Sequence, residues 1–149
     1  MYKAFIEIPK GDTRRRHKSY ENDELIDLGP IKDVIPVNDG VMPVHYGYIL
    51  NTLNKLESPP EELDVLLLSD GETAVADVIE IRPIALLSRE DKDHKIIATR
   101  VDDVRFWDDI PEDEKDLIEK YFGYKSKIIS IEGEERAIEM IREFEITKD

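Results

Sequence analysis

From Tyr2 to Ile8 the chain alternates, with Tyr2, Ala4, Ile6 and Ile8 facing one way and Lys3, Phe5 and Glu7 the other, the period of a half-buried strand. Pro9 and Gly11 end it. Residues 12–24 are polar and carry RRRHKSYE, and residues 25–28 form a short candidate strand before Gly29-Pro30. VHYGYIL (44–50), LDVLLL (63–68), AVADVIEIRPIALL (74–87), KIIAT (95–99) and KIISIE (127–132) are further β-rich segments separated by turn or acidic residues. Short strands at that spacing predict a small barrel or sandwich. Helical spacing comes late. IPEDEKDLIEKYF (110–122) opens on Pro111 and acids that suit a helix N-terminus, then places Leu117, Ile118, Tyr121 and Phe122 on one face. After Gly133, EERAIEMIREFEI (134–146) sets Ala137, Ile138, Ile141 and Phe144 together as a closing amphipathic helix. The pattern is mainly β with α: one barrel with two helices from the second half of the chain packed on it, in a single domain spanning residues 1–149.

Composition narrows the chemistry. The chain has no cysteine, so a metal would be held by oxygen or imidazole, which favours hard cations such as Mg²⁺ or Mn²⁺. Acidic residues outnumber basic ones 35 to 21, which argues against a nucleic-acid partner and for a cation or a small ligand. The apolar runs 65–68 and 84–87 are far short of the roughly 20 residues that cross a bilayer, and no signal-peptide pattern opens the chain. The expectation is a cytoplasmic protein with no membrane partner. Nucleotide-cradling glycine loops, a G-x-S-x-G elbow and H-E-x-x-H are all missing.

What remains is carboxylates close to cations. In IRPIALLSREDKDHKIIA a strand runs into Asp91, Asp93 and Lys95 before another leaves. Carboxylates at i and i+2 of an extended chain face one side, so Asp91 and Asp93 can share a cation, with Lys95 placed to meet a phosphate. A charged hairpin tip is the other reading of this segment. In LESPPEELDVLLL, Asp64 heads an apolar strand, where an unpaired charge is costly unless solvated or ligated. Tyr46 and Tyr48 of HYGYI fall on one strand face, either as core aromatics or with hydroxyls offered to a ligand.

Taken in order, IEIP (6–9), YGYI (46–49), LDVLLL (63–68), RPIALL (82–87), DKDHKIIA (91–98), DDIP (108–111) and Tyr124-Lys125 resemble the soluble inorganic pyrophosphatases built on an OB-like five-stranded barrel. The series covers nearly the whole chain. The resemblance implies Mg²⁺-dependent (or Mn²⁺-dependent) hydrolysis of pyrophosphate to two phosphates by a two-metal mechanism, in a homo-oligomer, often a hexamer. It implies metal ligation by Asp64, Asp91, Asp93 and Glu7, a catalytic place for Tyr46, and substrate binding by Arg16, Lys95, Tyr124 and Lys125. The Asp91-to-Asp93 spacing is three residues shorter than the family's.

Departures cluster in three places. Where the family has K-Y-E, this chain has Arg16-His17-Lys18, so a cation stands in place of an acid. The arginine expected before YGY has no clear counterpart, Lys32 being the nearest cation, and a family tyrosine is Met42. The family's D-G-D-P-x-D-V reads Pro59-Pro60-Glu61-Glu62-Leu63-Asp64-Val65, which removes one metal ligand and makes Glu61 the general base. Glu57 or Glu62 is then a candidate for the lost ligand's place. The alternative is a catalytically impaired relative serving as a phosphate-ligand or protein-binding module.

Overall fold

The computed structural model describes residues 1–19, 22, 24–69 and 71–146. Along the chain come β1 (Tyr2–Ile8), β2 (Arg14–Lys18), β3 (Leu25–Pro30), β4 (His45–Ile49), β5 (Asp64–Leu68), β6 (Val78–Arg89), β7 (Lys95–Arg100), α1 (Glu112–Phe122), β8 (Ile128–Gly133) and α2 (Glu134–Phe144). Five strands close in the order β1-β4-β5-β7-β6, because β6 pairs back onto β1, and β8 adds outside β6. Only β5 and β7 run parallel in this ring; the other pairings are antiparallel. This is the five-stranded OB-like barrel with two helices that the sequence pattern and the resemblance predict.

Because side chains alternate across a strand, the barrel wall has two buried faces. One carries Ile6, Ile49, Val65, Leu67 and Ile96 and packs against Ala137, Met140, Ile141 and Phe144 of α2. The other carries Leu66, Leu68, Leu87 and Ile97 and packs against Ile118, Tyr121 and Phe122 of α1. The buried α2 face uses Met140, whereas the sequence pattern named Ile138, which is only partly buried.

Three local features position the site. The β1–β4 register shifts between Ile6 and Ile8, so that Glu7 is an extra residue opposite Tyr46. Such a bulge turns the strand and re-aims its side chains, and here the neighbours Ile6 and Ile8 enter different core clusters. Gly47 is required where β1 and β4 meet, since a Cβ there would lie 1.8 Å from the Phe5 carbonyl oxygen. β6 bends at a bulge between Pro83 and Ala85, which lets one twelve-residue strand pair with β1 in its first half and β8 in its second.

Two sequence expectations are corrected. The basic run, read only as a polar stretch with no element assigned, is the strand β2, paired with β3 and tied across the hairpin by Arg14–Asp27 at 3.0 Å. Within the polar stretch 12–24, Tyr20, Glu21 and Asp23 lie outside the described residues. β6 begins at Val78, later than the predicted residue 74. Ala76 takes φ 72 and Ala74 N–H donates to the Asp77 carboxylate at 2.9 Å, which makes residues 74–77 a turn.

Candidate active site

Tyr46, Asp64 and Lys95 stand on the neighbouring strands β4, β5 and β7. The parallel register pairs Asp64 directly with Lys95, and the antiparallel register pairs Tyr46 with Leu66, one pleat along the same face. From that position the Lys95 ammonium donates to Asp64 at 2.6 Å, to Asp93 at 2.9 Å and to the Tyr46 hydroxyl oxygen at 2.9 Å. Lys95 is 2% exposed, a burial that an ammonium tolerates only with partners of opposite charge.

The two carboxylates titrate as a linked pair. Burial, with Asp93 adding repulsion and Lys95 opposing, pushes Asp64 up to about 7. For Asp93 burial acts upward too, but Lys95 and a hydrogen bond from Asp64 outweigh it and hold the group down at about 2. The Tyr46 hydroxyl is pushed up by burial and by the nearby acids, so it is a neutral hydrogen-bond donor and acceptor.

The loop between β4 and β5 sorts the three glutamates that the sequence left open. Asn54, fully buried, donates from its amide to the Lys92 carbonyl at 3.0 Å and so clamps this loop to the Asp91–Asp93 turn. Glu57 is thereby held beside Asp93 and Asp64; burial, then those two charges and Glu61, raise its carboxyl to about 8. Glu61 instead lies 3.5 Å from His17, whose imidazole is raised to about 9 by that hydrogen bond. Glu62 accepts from Lys18 at 2.5 Å. The cation at position 18 therefore has a carboxylate facing it, and only Glu57 joins the acids around Lys95. Glu7, buried beneath this group, accepts from the Lys18 backbone N–H at 2.9 Å and is raised to about 7 by burial.

A cavity of about 230 Å³ opens beside the cluster, and Tyr46, Asp93, Lys95, Arg16 and Lys125 line it. Arg15 and Arg89 line it too, and sequence reasoning named neither. Arg89 ends β6 nearly buried, bound to Asp91 and lying 3.9 Å from Asp93. Its place follows only from tertiary packing, since a terminal strand arginine carries no local signal. The premise that Asp91 and Asp93 share one side of an extended chain is corrected: Lys92 takes φ 68, and Asp91 turns back to accept the Asp93 N–H at 3.0 Å. Asp91 is thus exposed and pairs with the nearly buried Arg89 guanidinium, not with the Lys95 ammonium. Arg16 lines the cavity while accepted by Asp12 at 2.5 Å. Tyr124 is 53% exposed and borders a separate surface groove along β8, so it is not brought to the cavity with Lys125.

Oxygen-only donors around Asp64 and Asp93 are those a hard divalent cation takes, and the Lys95 ammonium between them shows that the pair accommodates positive charge. Among the described residues no three His, Asp or Glu side chains stand as a ready cage, Lys95 being already in that space. The donor chemistry fits such a cation through Asp64 and Asp93, with Glu57 adjacent.

Fold and site together define a closed β-barrel that presents partly buried carboxylates around a buried ammonium beside a cationic cleft. The family model described as inorganic pyrophosphatase matches residues 4–146. An inorganic pyrophosphatase of Halalkalibacterium halodurans is 33% identical over 96% of this chain and 92% of its own length, and one of Haloferax volcanii is 35% identical over 83% and 70%. Among solved structures, the inorganic pyrophosphatase of Ehrlichia chaffeensis superposes with TM-score 0.81 at 19% identity, covering 95% of this chain and 91% of that one. The chain belongs to the inorganic pyrophosphatase family.

Proposed function

We propose that the chain hydrolyses inorganic pyrophosphate to two phosphates with the help of a divalent cation, Mg²⁺ before Mn²⁺. Family membership supports the reaction. The observation that carries it in this chain is the buried Lys95 ammonium shared by Asp64, Asp93 and Tyr46 at the edge of a cavity lined by five arginine and lysine side chains. A mere scaffold has no use for such a cluster, because a buried ion group with good geometry is at best neutral for stability against packed apolar residues. The impaired-module alternative is not favoured for that reason.

Asp64, Asp93 and Glu57 are the residues we assign to hold the cation, Glu57 standing in for the ligand lost at Pro59. Bound there, a divalent cation neutralises phosphate oxygens and makes a water more acidic. Lys95, once relieved of part of its carboxylate contact, turns its ammonium to a phosphate oxygen, and Arg16 and Lys125 meet the others from the cavity wall. Tyr46 holds the Lys95 ammonium in place through its hydroxyl. Glu61, 3.5 Å from the His17 imidazole, is assigned as the base that takes the proton of the attacking water. The same reading extends to a cytoplasmic homo-oligomer, hexameric by the resemblance, with each chain acting as one domain.

Phosphate release from pyrophosphate with Mg²⁺ or Mn²⁺, measured beside Asp64→Asn, tests the assignment. Wild type is expected to turn over, and the variant to lose roughly 10² to 10³ in kcat/KM. A wild type that releases no phosphate, or a variant that matches it, overturns the reading.

A further inference from the structure

Five arginine and lysine side chains, Arg15, Arg16, Arg89, Lys95 and Lys125, line the cavity together with His17, against Asp93 as its one carboxylate among the described lining residues. In a chain of formal net charge −14, that concentration singles out an anion site. Arg15 and Lys125 make no ion pair among the described residues, so two of these charges are uncommitted. Pyrophosphate, a small inorganic polyanion, calls on this charged half of the cavity alone.

It has no use for the other half. Leu28, Val34, Ile35 and Met42 form an apolar wall that continues onto Tyr121 and Phe122. Most of these serve the core beneath α1, but Leu28 and Val34 belong to neither buried cluster. Leu28 is 48% exposed on β3, in a hairpin whose other residues are largely charged or turn-forming. An inorganic polyanion gains nothing from that surface and is hindered by it, since apolar walls shed the water that solvates phosphate oxygens. A wall of this kind stabilises a ligand that brings apolar area of its own, at about 25 cal/mol per Å² removed from water. Small-molecule sites combine these same parts, an apolar lining with a few converging polar groups.

We propose that the cavity accepts organic diphosphates, phosphoanhydrides in which one terminal oxygen carries an alkyl or aromatic group, in addition to pyrophosphate. The cations hold the anhydride, and Leu28, Val34, Ile35 and Met42 hold the organic group. The oxygen of water bonds to the unsubstituted terminal phosphorus and the bond from that phosphorus to the bridging oxygen breaks. The bridging oxygen leaves on the organic phosphate, one water proton stays on the inorganic phosphate, and the other passes to solvent at neutral pH. This proposal rests on the hydrolytic reading above, and its test separates the two.

Calorimetry on the full chain with Mg²⁺ compares non-hydrolysable methylenediphosphonate carrying a methyl, a pentyl or a phenyl ester. Phosphate release is followed in parallel for pyrophosphate and for methyl, pentyl and phenyl diphosphate. Pentyl or phenyl is expected to bind about tenfold or more tighter than methyl, and which of the two leads distinguishes an alkyl from an aromatic substituent. Leu28→Ser and Val34→Ser, both outside the core clusters, are expected to bring that ratio close to one, with thermal melts confirming that each variant folds. Equal affinity for all three esters in the wild type overturns the proposal even if pyrophosphate is hydrolysed. If no substrate releases phosphate, the hydrolytic reading fails, and the ratio of phosphonate affinities still decides the apolar subsite.

Discussion

Lys95 and Lys18 each hold carboxylates that the sequence spaces far away, yet the two arrangements differ in kind. The Lys95 side chain is 3% exposed and its partners sit on barrel strands or on the turn beside them, whereas the Lys18 side chain is 24% exposed and faces Glu62 from a two-stranded hairpin. In the first region low dielectric makes each charge depend on the others: burial pushes both carboxyls up, and Asp64 stays raised while Lys95 and the hydrogen bond from Asp64 bring Asp93 down. In the second, solvent screens the pair and little stability rides on it. The barrel wall thus carries charges that depend on one another, while Lys18 of the hairpin and Glu62 of the β4–β5 loop form a more exposed pair.

That contrast breaks most visibly at Lys95. Lys95→Met leaves two partly buried acids without their cation, and thermal melts without added metal are expected to show a loss of about 3 kcal/mol, with kcat/KM down by about 10² or more. Mg²⁺ should restore part of the stability, because the vacated carboxylates then have another cation to bind. A melt unchanged by Lys95→Met would place the buried cluster in the same class as the exposed one. Glu57→Gln probes the border between the regions: Mg²⁺ affinity, read by calorimetry, is expected to fall about tenfold while the apo melt moves little. Unaltered Mg²⁺ affinity removes Glu57 from the cation's surroundings. A double-mutant cycle of Lys18→Met and Glu62→Gln should return a coupling below about 1 kcal/mol, and a larger value would show that solvent screens this pair less than its exposure implies.

The smallest effect is a pH dependence. His17 has a folded-state value near 9, raised from 6.5 by its hydrogen bond with Glu61, then by the Lys18 carbonyl and the neighbouring acids. The raised value means that its contribution to stability is complete below about 6.5 and is lost as pH climbs through 9. Melting temperature of the wild type should therefore decline across that window more steeply than that of His17→Gln. Since His17 is about half exposed, the difference is expected to be a few degrees at most. Parallel slopes for the two proteins would sink the assignment.

Most of the barrel was legible from apolar alternation, because strands β1, β4, β5 and β7 bury one or both faces and so show their period or an unbroken apolar run. β2 was not legible. RRRHK has no apolar face to reveal a period, and it becomes a strand through pairing with β3 and through ion pairs such as Arg14–Asp27. Of the site, Asp64, Asp93, Lys95 and Tyr46 were visible as acids, a cation and an aromatic at or beside strand heads, and the structure brings the polar atoms of the other three within 3 Å of the Lys95 ammonium. Asp91 misled because a left-handed residue at Lys92, with no glycine or asparagine to announce it, turns what reads as extended chain. The sorting of Glu57, Glu61 and Glu62 was beyond reach for a different reason. It depends on contacts 44 residues apart in the Lys18–Glu62 pair and 38 apart in the Asn54–Lys92 clamp, which local pattern does not encode.

The single parallel pairing in the ring, β5 with β7, also governs when activity can first arise during folding. Asp64 and Lys95 are 31 residues apart and meet only when that pairing forms in the right register, since a slip by one residue would send them to opposite faces of the wall. Long-range parallel pairing is slow to nucleate because loop closure must precede its reward. A chain that has formed β6 with β8, or β2 with β3, has therefore gained structure and no chemistry. The site assembles with closure of the barrel, so that measured turnover in a refolding reaction reports completed chains alone.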